Sequence, residues 1–400
     1  MSKFKEPTHN GEFEKMNSLS INTSKIDSIS LGNIVQIREQ LLNQQKEGKQ
    51  IYRFESGDPS FDIPMSVQQA IQKAMFNSKT HYVSNNGIVE LRKELVTKLS
   101  VKNGMVFYNE DDIFITNGAM HALYLTFQCL LNDGEEVILP CPVWTEICEN
   151  VKLAGGKPVF YQLKKESGFS INPEEIEKLI NPKTKAIFIN SPHNPTGSIA
   201  SKEQLKQIVE IAQRYGVWLI SDEAYEDLVY EGIHHSLGNY TITNKIISIY
   251  SFSKSYAMSG LRVGYIVTDD KLMKERIEKL LRCTINGVNS LAQWGALAAI
   301  RDDKLYITSR VEEYKKRRDI MFNSLKSIKG LNPHYPAGAF YIWCDNERCE
   351  NVAQILLENG IGCVDAQSFY SNTNSIRFSF SCDIKMVIDG CAQIKKILGY

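Results

Sequence analysis

Lys254 is the residue of this chain whose setting points most directly to covalent chemistry. It lies in Ser251-Phe252-Ser253-Lys254-Ser255-Tyr256-Ala257-Met258-Ser259-Gly260-Leu261-Arg262, directly after a β-branched run at residues 245–250 that reads as a buried strand. An amine just past a strand's carboxyl end stands where open α/β sheets bind ligands. Serine hydroxyls and the fixed charge of Arg262 suit a phosphate tether, which would leave the lysine free to form a Schiff base with a carbonyl cofactor. Taken alone, the string reads equally well as a surface loop with an exposed lysine.

Other stretches offer complementary groups. In Ile115-Thr116-Asn117-Gly118-Ala119-Met120-His121 a strand runs through small residues into a helix, which aims free N–H groups at an anion. A helix-capping turn without a ligand is the plainer reading of that motif. Ile189-Asn190-Ser191-Pro192-His193-Asn194-Pro195-Thr196-Gly197 is a turn cluster after a strand, and its two prolines would hold the Asn194 amide rigidly at the sheet edge. Leu219-Ile220-Ser221-Asp222-Glu223-Ala224-Tyr225 ends a buried strand in an acid able to keep a ring nitrogen protonated, with a phenol that can bond a second ring substituent. A structural salt bridge is the alternative for Asp222. Trp144, after Pro140-Cys141-Pro142, could stack on an aromatic ring or pack in the core. Arg377 alternates with apolar residues in Ser375-Ile376-Arg377-Phe378, so if it points inward it needs a carboxylate from protein or ligand.

The elements that must position these groups follow an alternating pattern. Strands are predicted at 112–116, 136–139, 158–162, 186–190, 217–221 and 245–250, with amphipathic helices between them, which argues for an α/β domain with a mostly parallel sheet flanked by helices. After residue 285 the pattern changes to long helical stretches near 289–302 and 304–329, short strands around 340–343 and 375–380, and a last helix. That is a smaller α+β unit. The division expected is a flexible tail and arm at 1–30, a large domain at 51–284, and a small domain at 31–50 and 285–400 into which the amino-terminal arm and helix pack.

Composition narrows the partners. The 46 basic and 46 acidic residues balance, so no global field favours nucleic acid or an anionic membrane, and small-molecule partners are expected. No apolar run is long enough to span a membrane and the polar start is not that of a signal peptide, which predicts a cytoplasmic protein. The nine cysteines form no Cys-x-x-Cys pair and the seven histidines show no ligand spacing, so reduced thiols and no metal are expected.

Taken in order from about residue 30 to the carboxyl end, Asn-Pro-Thr-Gly, Asp-Glu-x-Tyr and Ser-x-Ser-Lys with an arginine eight residues past the lysine resemble the class I/II aminotransferases, pyridoxal-phosphate enzymes of fold type I. The resemblance implies that Lys254 is the Schiff-base lysine, that Asp222 pairs with the pyridinium nitrogen, and that Tyr225 and Asn194 contact the ring hydroxyl. It implies that Gly118, Ala119, Met120, Ser251 and Arg262 surround the phosphate of pyridoxal 5'-phosphate and that Trp144 stacks on the ring. Arg377 would take the substrate carboxylate, helped by Asn194 and the Gly57 backbone. Tyr82, in His81-Tyr82-Val83-Ser84, matches a tyrosine that reaches the neighbouring subunit's phosphate, which implies a homodimer with shared active sites.

Two departures stand out. Residues 364–369, Val-Asp-Ala-Gln-Ser-Phe, replace the Pro-Gly-x-x-Phe of many relatives, and Met120 stands where one aspartate-specific branch carries a lysine. Aspartate is a weaker expectation as a donor for that reason. The implied activity is transfer of an amino group between an amino acid and a 2-oxo acid. The same site could serve a β- or γ-lyase, a decarboxylase or an oxidase, and the fold also occurs as an effector domain in regulators. Residues 1–30 are too short and too weakly basic for the regulators' DNA-binding module.

Overall fold

The computed structural model describes residues 25–30, 32–240, 245–302, 304–349 and 351–399. A short strand, Tyr52–Arg53 (β1), precedes the central sheet of Ile113–Thr116 (β2), Glu136–Cys141 (β3), Lys157–Gln162 (β4), Thr184–Asn190 (β5), Trp218–Asp222 (β6), Ile246–Ser251 (β7) and Gly264–Val267 (β8). Their order is β2-β8-β7-β6-β5-β3-β4. From β7 to β4 every pair is parallel, whereas β8 runs antiparallel to both β2 and β7. The predicted strands all appear, with small shifts at their ends. In this sheet β8 is the strand the periodicity missed: four residues opening on a glycine just past Arg262 are too few to show a period, yet all are buried.

Continuous apolar runs such as Ala186-Ile187-Phe188-Ile189 suit a sheet covered on both faces. The helix Lys202–Tyr215 shows how one cover is set: a Ser201/Gln204 capping box starts it, and Gly216, at φ 67°, ends it. Between these signals Leu205, Ile208, Val209 and Ala212 lie in one core with Ile187, Ile189 and Leu219 of the sheet.

The smaller unit holds Leu331–Pro333 (β9), Tyr341–Asn346 (β10), Ile361–Gly362 (β11), Val364–Asp365 (β12) and Ser375–Ser379 (β13). Its antiparallel sheet runs β12-β13-β10-β9, while β1 pairs in parallel with β11. The helix Asn33–Lys46 joins this unit, its Gln44 amide donating to the Leu357 carbonyl at 2.9 Å. The segment before it does not. Lys25 pairs with Asp133, and the Ser30 N–H donates to Glu149 Oε2 at 3.0 Å, so residues 25–30 lie on the large unit; the rest of the predicted tail, 1–24, falls outside the described residues.

The join near residue 285 also falls elsewhere. The helix Ser290–Arg301 shares a core with Val67, Leu91 and Ile113 of the large unit. Its small face permits that nesting, since a Cβ on Gly295 would already sit 3.0 Å from Ile71. The passage into the smaller unit comes with the helix Lys304–Lys326. No described helix is long and apolar enough to cross a membrane.

Candidate active site

Adjacent parallel strands deliver their last residues to one edge of the sheet. Register sets Asn190 of β5 beside Asp222 of β6, and Asp222 beside Ile249 of β7, so Ser251 and Lys254 follow just past the same edge. Asn190 braces the arrangement: its amide donates to the Asp222 carbonyl at 3.0 Å, and its Oδ1 accepts from the Asn194 N–H at 2.9 Å. The buried Asn194 side chain then accepts from Arg377 Nη1 at 3.1 Å. Asp222 is buried and accepts from the Ala224 N–H at 3.1 Å. Burial raises its carboxyl to about 6, against the opposing pull of that N–H and of the Lys254 charge.

Lys254 Nζ donates to the Gly57 carbonyl at 2.7 Å. Burial lowers its amine to about 8, with Arg377 and Arg262 acting the same way and Asp58 and Asp222 against it. An amine so placed is partly neutral near physiological pH, the state that a nucleophile or base requires. Position 57 must be glycine because a Cβ there would lie 2.2 Å from the Tyr341 hydroxyl. That hydroxyl is 2.9 Å from the Tyr225 hydroxyl, and the Tyr341 ring lies under the Arg377 guanidinium at 4.3 Å. Arg377 is 2% exposed, donates to the Glu55 carbonyl at 2.6 Å, and leaves Nε without a partner. Among the described residues no carboxylate forms an ion pair with it, which leaves a buried cation held by carbonyl oxygens alone.

At the opposite end of the cavity the helix Ala119–Leu130 begins at Gly118 with no side-chain cap. Gly118 has φ 82°, and a Cβ on it would fall 2.3 Å from Arg262 Nη2, so glycine is what lets the guanidinium approach. Arg262 is itself left-handed at φ 57°, and its Nη1 donates to the Ser259 carbonyl at 2.7 Å. The Ser251 hydroxyl accepts from the Ser253 N–H at 3.2 Å. An uncapped helix start, a guanidinium and a serine hydroxyl form an anion cradle.

One cavity of about 450 Å³ is thus bordered by Gly57, Ala119, Met120, Trp144, Asn194, Asp222, Tyr225, Ser251, Lys254, Arg262 and Arg377, with Gly118 behind Arg262. Tyr82 is not among them. Its side chain is 89% exposed and borders a separate surface pocket beside Asn286 and Gly287.

Several residues that sequence reasoning passed over also belong to the site. Tyr341 reads as core inside the apolar run 340–343, and Asn190 as the last residue of a strand. Glu146, two residues past Trp144, borders the cavity with no motif to mark it. The divergent segment 364–369 buttresses the site from behind. Thr145 donates to the Ser368 carbonyl, Asn33 Nδ2 to Ser368 Oγ at 3.1 Å, and Phe369 lies 4.9 Å from the Arg377 guanidinium. Among the described residues Glu223, Glu226 and His234 place ligand atoms within 4.8 Å of one another. These acids are already engaged, Glu223 by Ser221, Ser236 and His234, and Glu226 by Lys98 and Asn103.

A lysine, an acid and an anion cradle on the carboxyl edge of such a sheet define an enzyme of amine chemistry, and the comparisons give its family. Residues 49–394 match the model of the aminotransferases of class I and II, and the chain belongs to that family. It is an aminotransferase of fold type I, moving an amino group between an α-amino acid and a 2-oxo acid. It is 37% identical over 350 residues to a probable aspartate aminotransferase of Methanocaldococcus jannaschii, covering 85% of this chain and 92% of the relative. In three dimensions it is similar to the aspartate aminotransferase of Thermus thermophilus solved with maleate, at TM-score 0.89 and 29% identity over 94% of this chain and 99% of that one. The alanine aminotransferase of Pyrococcus furiosus is similar at TM-score 0.88 and 29% identity, with the same shares covered.

Proposed function

We propose that the chain performs this transfer with pyridoxal 5'-phosphate held between the anion cradle and Arg377. One observation carries the reading: a buried lysine of lowered pKa and a buried carboxylate border the same cavity as an arginine with no carboxylate partner. The donor set fits the cofactor. The helix start at Gly118, Ala119 and Met120, the Ser251 hydroxyl and Arg262 would hold its phosphate; Asp222 would hold its ring nitrogen protonated; Tyr225 and Asn194 would meet the ring hydroxyl; and Trp144 would cover the ring face. When bound, the cofactor supplies the carbonyl that carries the amino group and the ring that accommodates carbanion charge.

The chain's own residues do the rest. Arg377, backed by Asn194 and the Gly57 backbone, binds the α-carboxylate that every donor shares and so fixes the Cα–H bond in one direction. Lys254 would be the residue that holds the cofactor. Its free amine would take the proton from Cα as general base and return it as general acid, a role suited to an amine of pKa about 8. Asp222, buried, would keep a proton on the ring nitrogen without water competing for the contact.

Tyr82, so exposed in its own chain, is assigned to the active site of a second copy, which makes the working enzyme a homodimer. A reducing, cytoplasmic setting is proposed from the nine free cysteines. The test is chemical. Borohydride should fix cofactor to the wild-type protein at one site and leave Lys254→Ala unlabelled; full labelling of that variant would move the site to another lysine.

A further inference from the structure

We propose that Glu146 selects an amino donor with a positively charged side chain, its carboxylate receiving an ammonium or guanidinium at the cavity wall beside Trp144. The inference rests on the aminotransferase reading above and names its substrate class. Glu146 lies in the first turn of the helix Thr145–Leu153 and borders the same cavity as Lys254, Arg377, Met120 and Ile34. Its Oε2 is buried with no hydrogen-bond partner, and among the described residues no cation forms an ion pair with it. Buried carboxylate oxygens without a partner are uncommon and call for an explanation.

Each other charged group at the cavity has a role that leaves it unavailable. Arg262 belongs to the anion cradle, Asp222 and Lys254 to the cofactor, and Arg377 to the α-carboxylate. Glu55 is ion-paired through Oε1 with Arg53 at 2.7 Å, although its Oε2 is likewise buried without a hydrogen-bond partner, and Asp58 accepts from the Ser259 hydroxyl. Glu146 remains. Its own backbone N–H bonds to the carboxylate, yet Oε2 is left without a partner: the Asn150 amide donates to the Glu146 backbone carbonyl at 2.7 Å and faces Met120 Sδ at 3.5 Å, not the carboxylate. Gly32 lies near Oε1, which a Cβ built on it would meet at 3.4 Å. The charge acting on it favourably is that of Arg377, which a donor's α-carboxylate would neutralise. Burial meanwhile holds the carboxyl above its ordinary range, so an incoming cation would be met by a group that gains from being ionised beside it.

The same geometry works against dicarboxylic donors. A second carboxylate would approach Glu146, and Met120 offers it no cation. An acid in the first turn of a helix also favours that helix through the macrodipole, whatever the substrate. That structural role would not rank donors, so ranking is the readout.

The experiment compares kcat/KM of the holoenzyme for arginine, ornithine, methionine, aspartate and glutamate in wild type, Glu146→Gln and Glu146→Lys, with the cofactor absorbance band reporting an intact site. Wild type should prefer arginine or ornithine to methionine and to both acids. Glu146→Gln should lower the arginine-to-methionine ratio by about tenfold or more, chiefly through KM, and Glu146→Lys should shift preference towards aspartate and glutamate. An unchanged arginine-to-methionine ratio in Glu146→Gln, or a wild type that prefers a dicarboxylic donor to both basic ones, would overturn the selection while leaving the aminotransferase reading intact. Failure of wild type to convert any donor would overturn both.

Discussion

Lys254 and Asp222 are perturbed in opposite directions by one cause, burial, and each carries a pH signature. A lysine must be neutral to attack a carbonyl, so with an amine at about 8 the rate of covalent cofactor attachment to apoprotein should climb with pH and level off just above 8. Stopped-flow absorbance checks this; a rate still climbing towards pH 10 would mean an ordinary exposed lysine. Asp222 has its folded pKa raised to about 6, so between the ordinary carboxylate value and 6 the folded chain binds more protons than the unfolded one. Its contribution to apoprotein stability is therefore fully present at low pH and is lost as pH rises through that window. Asp222→Asn should accordingly raise the apoprotein's melting temperature at pH 7 while lowering kcat of the holoenzyme by ~10²-fold or more. Calorimetry paired with turnover separates these effects. A variant less stable than wild type would contradict the assigned cause of the shift.

Among the elements, the connection after β6 decides where Asp222 and Tyr225 stand, and it is clamped from the helix Val89–Asn103. Lys98 Nζ lies 2.7 Å from Glu226 Oε2, with both side chains buried, and 4.4 Å from the Tyr250 ring centre of β7. Asn103 donates to the same carboxylate at 2.8 Å, and Lys102 pairs with Asp227. Removing one partner strands a charge in the interior, which costs about 3–5 kcal/mol, whereas replacing both with apolar groups is far milder. Lys98→Met should thus lower the denaturant midpoint sharply, and Lys98→Met with Glu226→Leu should recover much of the loss. If the double variant were as unstable as the single, the pair would not be the clamp. The segment 364–369 plays a comparable part for Trp144, because its backbone takes the Thr145 hydroxyl at the start of that helix.

For the whole molecule, the exposed apolar surface says most about assembly. Phe76 and Tyr82 are each 89% exposed, and Met75 is 56% exposed close by in sequence. Large apolar side chains so exposed are the surface proposed for a second copy to cover. Light scattering should return twice the 45.4 kDa chain mass. Tyr82→Phe should keep that mass and weaken cofactor retention at least severalfold, since only a hydroxyl is lost. Unchanged retention in the dimer would remove Tyr82 from the partner's site.

Groups close together in sequence at a strand end were legible before any coordinates. Asp222 and Tyr225, Ser251, Lys254 and Arg262, and the stiff turn carrying Asn194 are each set by an apolar run and the turn that stops it, and both signals lie in neighbouring residues. The parallel α/β architecture followed from the same periodicity. Features depending on contacts between distant segments were hidden. Gly57 is required by the Tyr341 hydroxyl, Asn190 matters through its hold on Asn194 and Asp222, and Ser290–Arg301 joins the large unit because its small face fits two earlier helices. Glu146 is the sharpest case: its sequence neighbours describe an ordinary solvated helix start, and only the cavity wall around it leaves its Oε2 buried without a partner. Local periodicity and turn chemistry reside in adjacent residues, whereas the pairing or isolation of a buried polar group is fixed by whatever the tertiary fold brings against it.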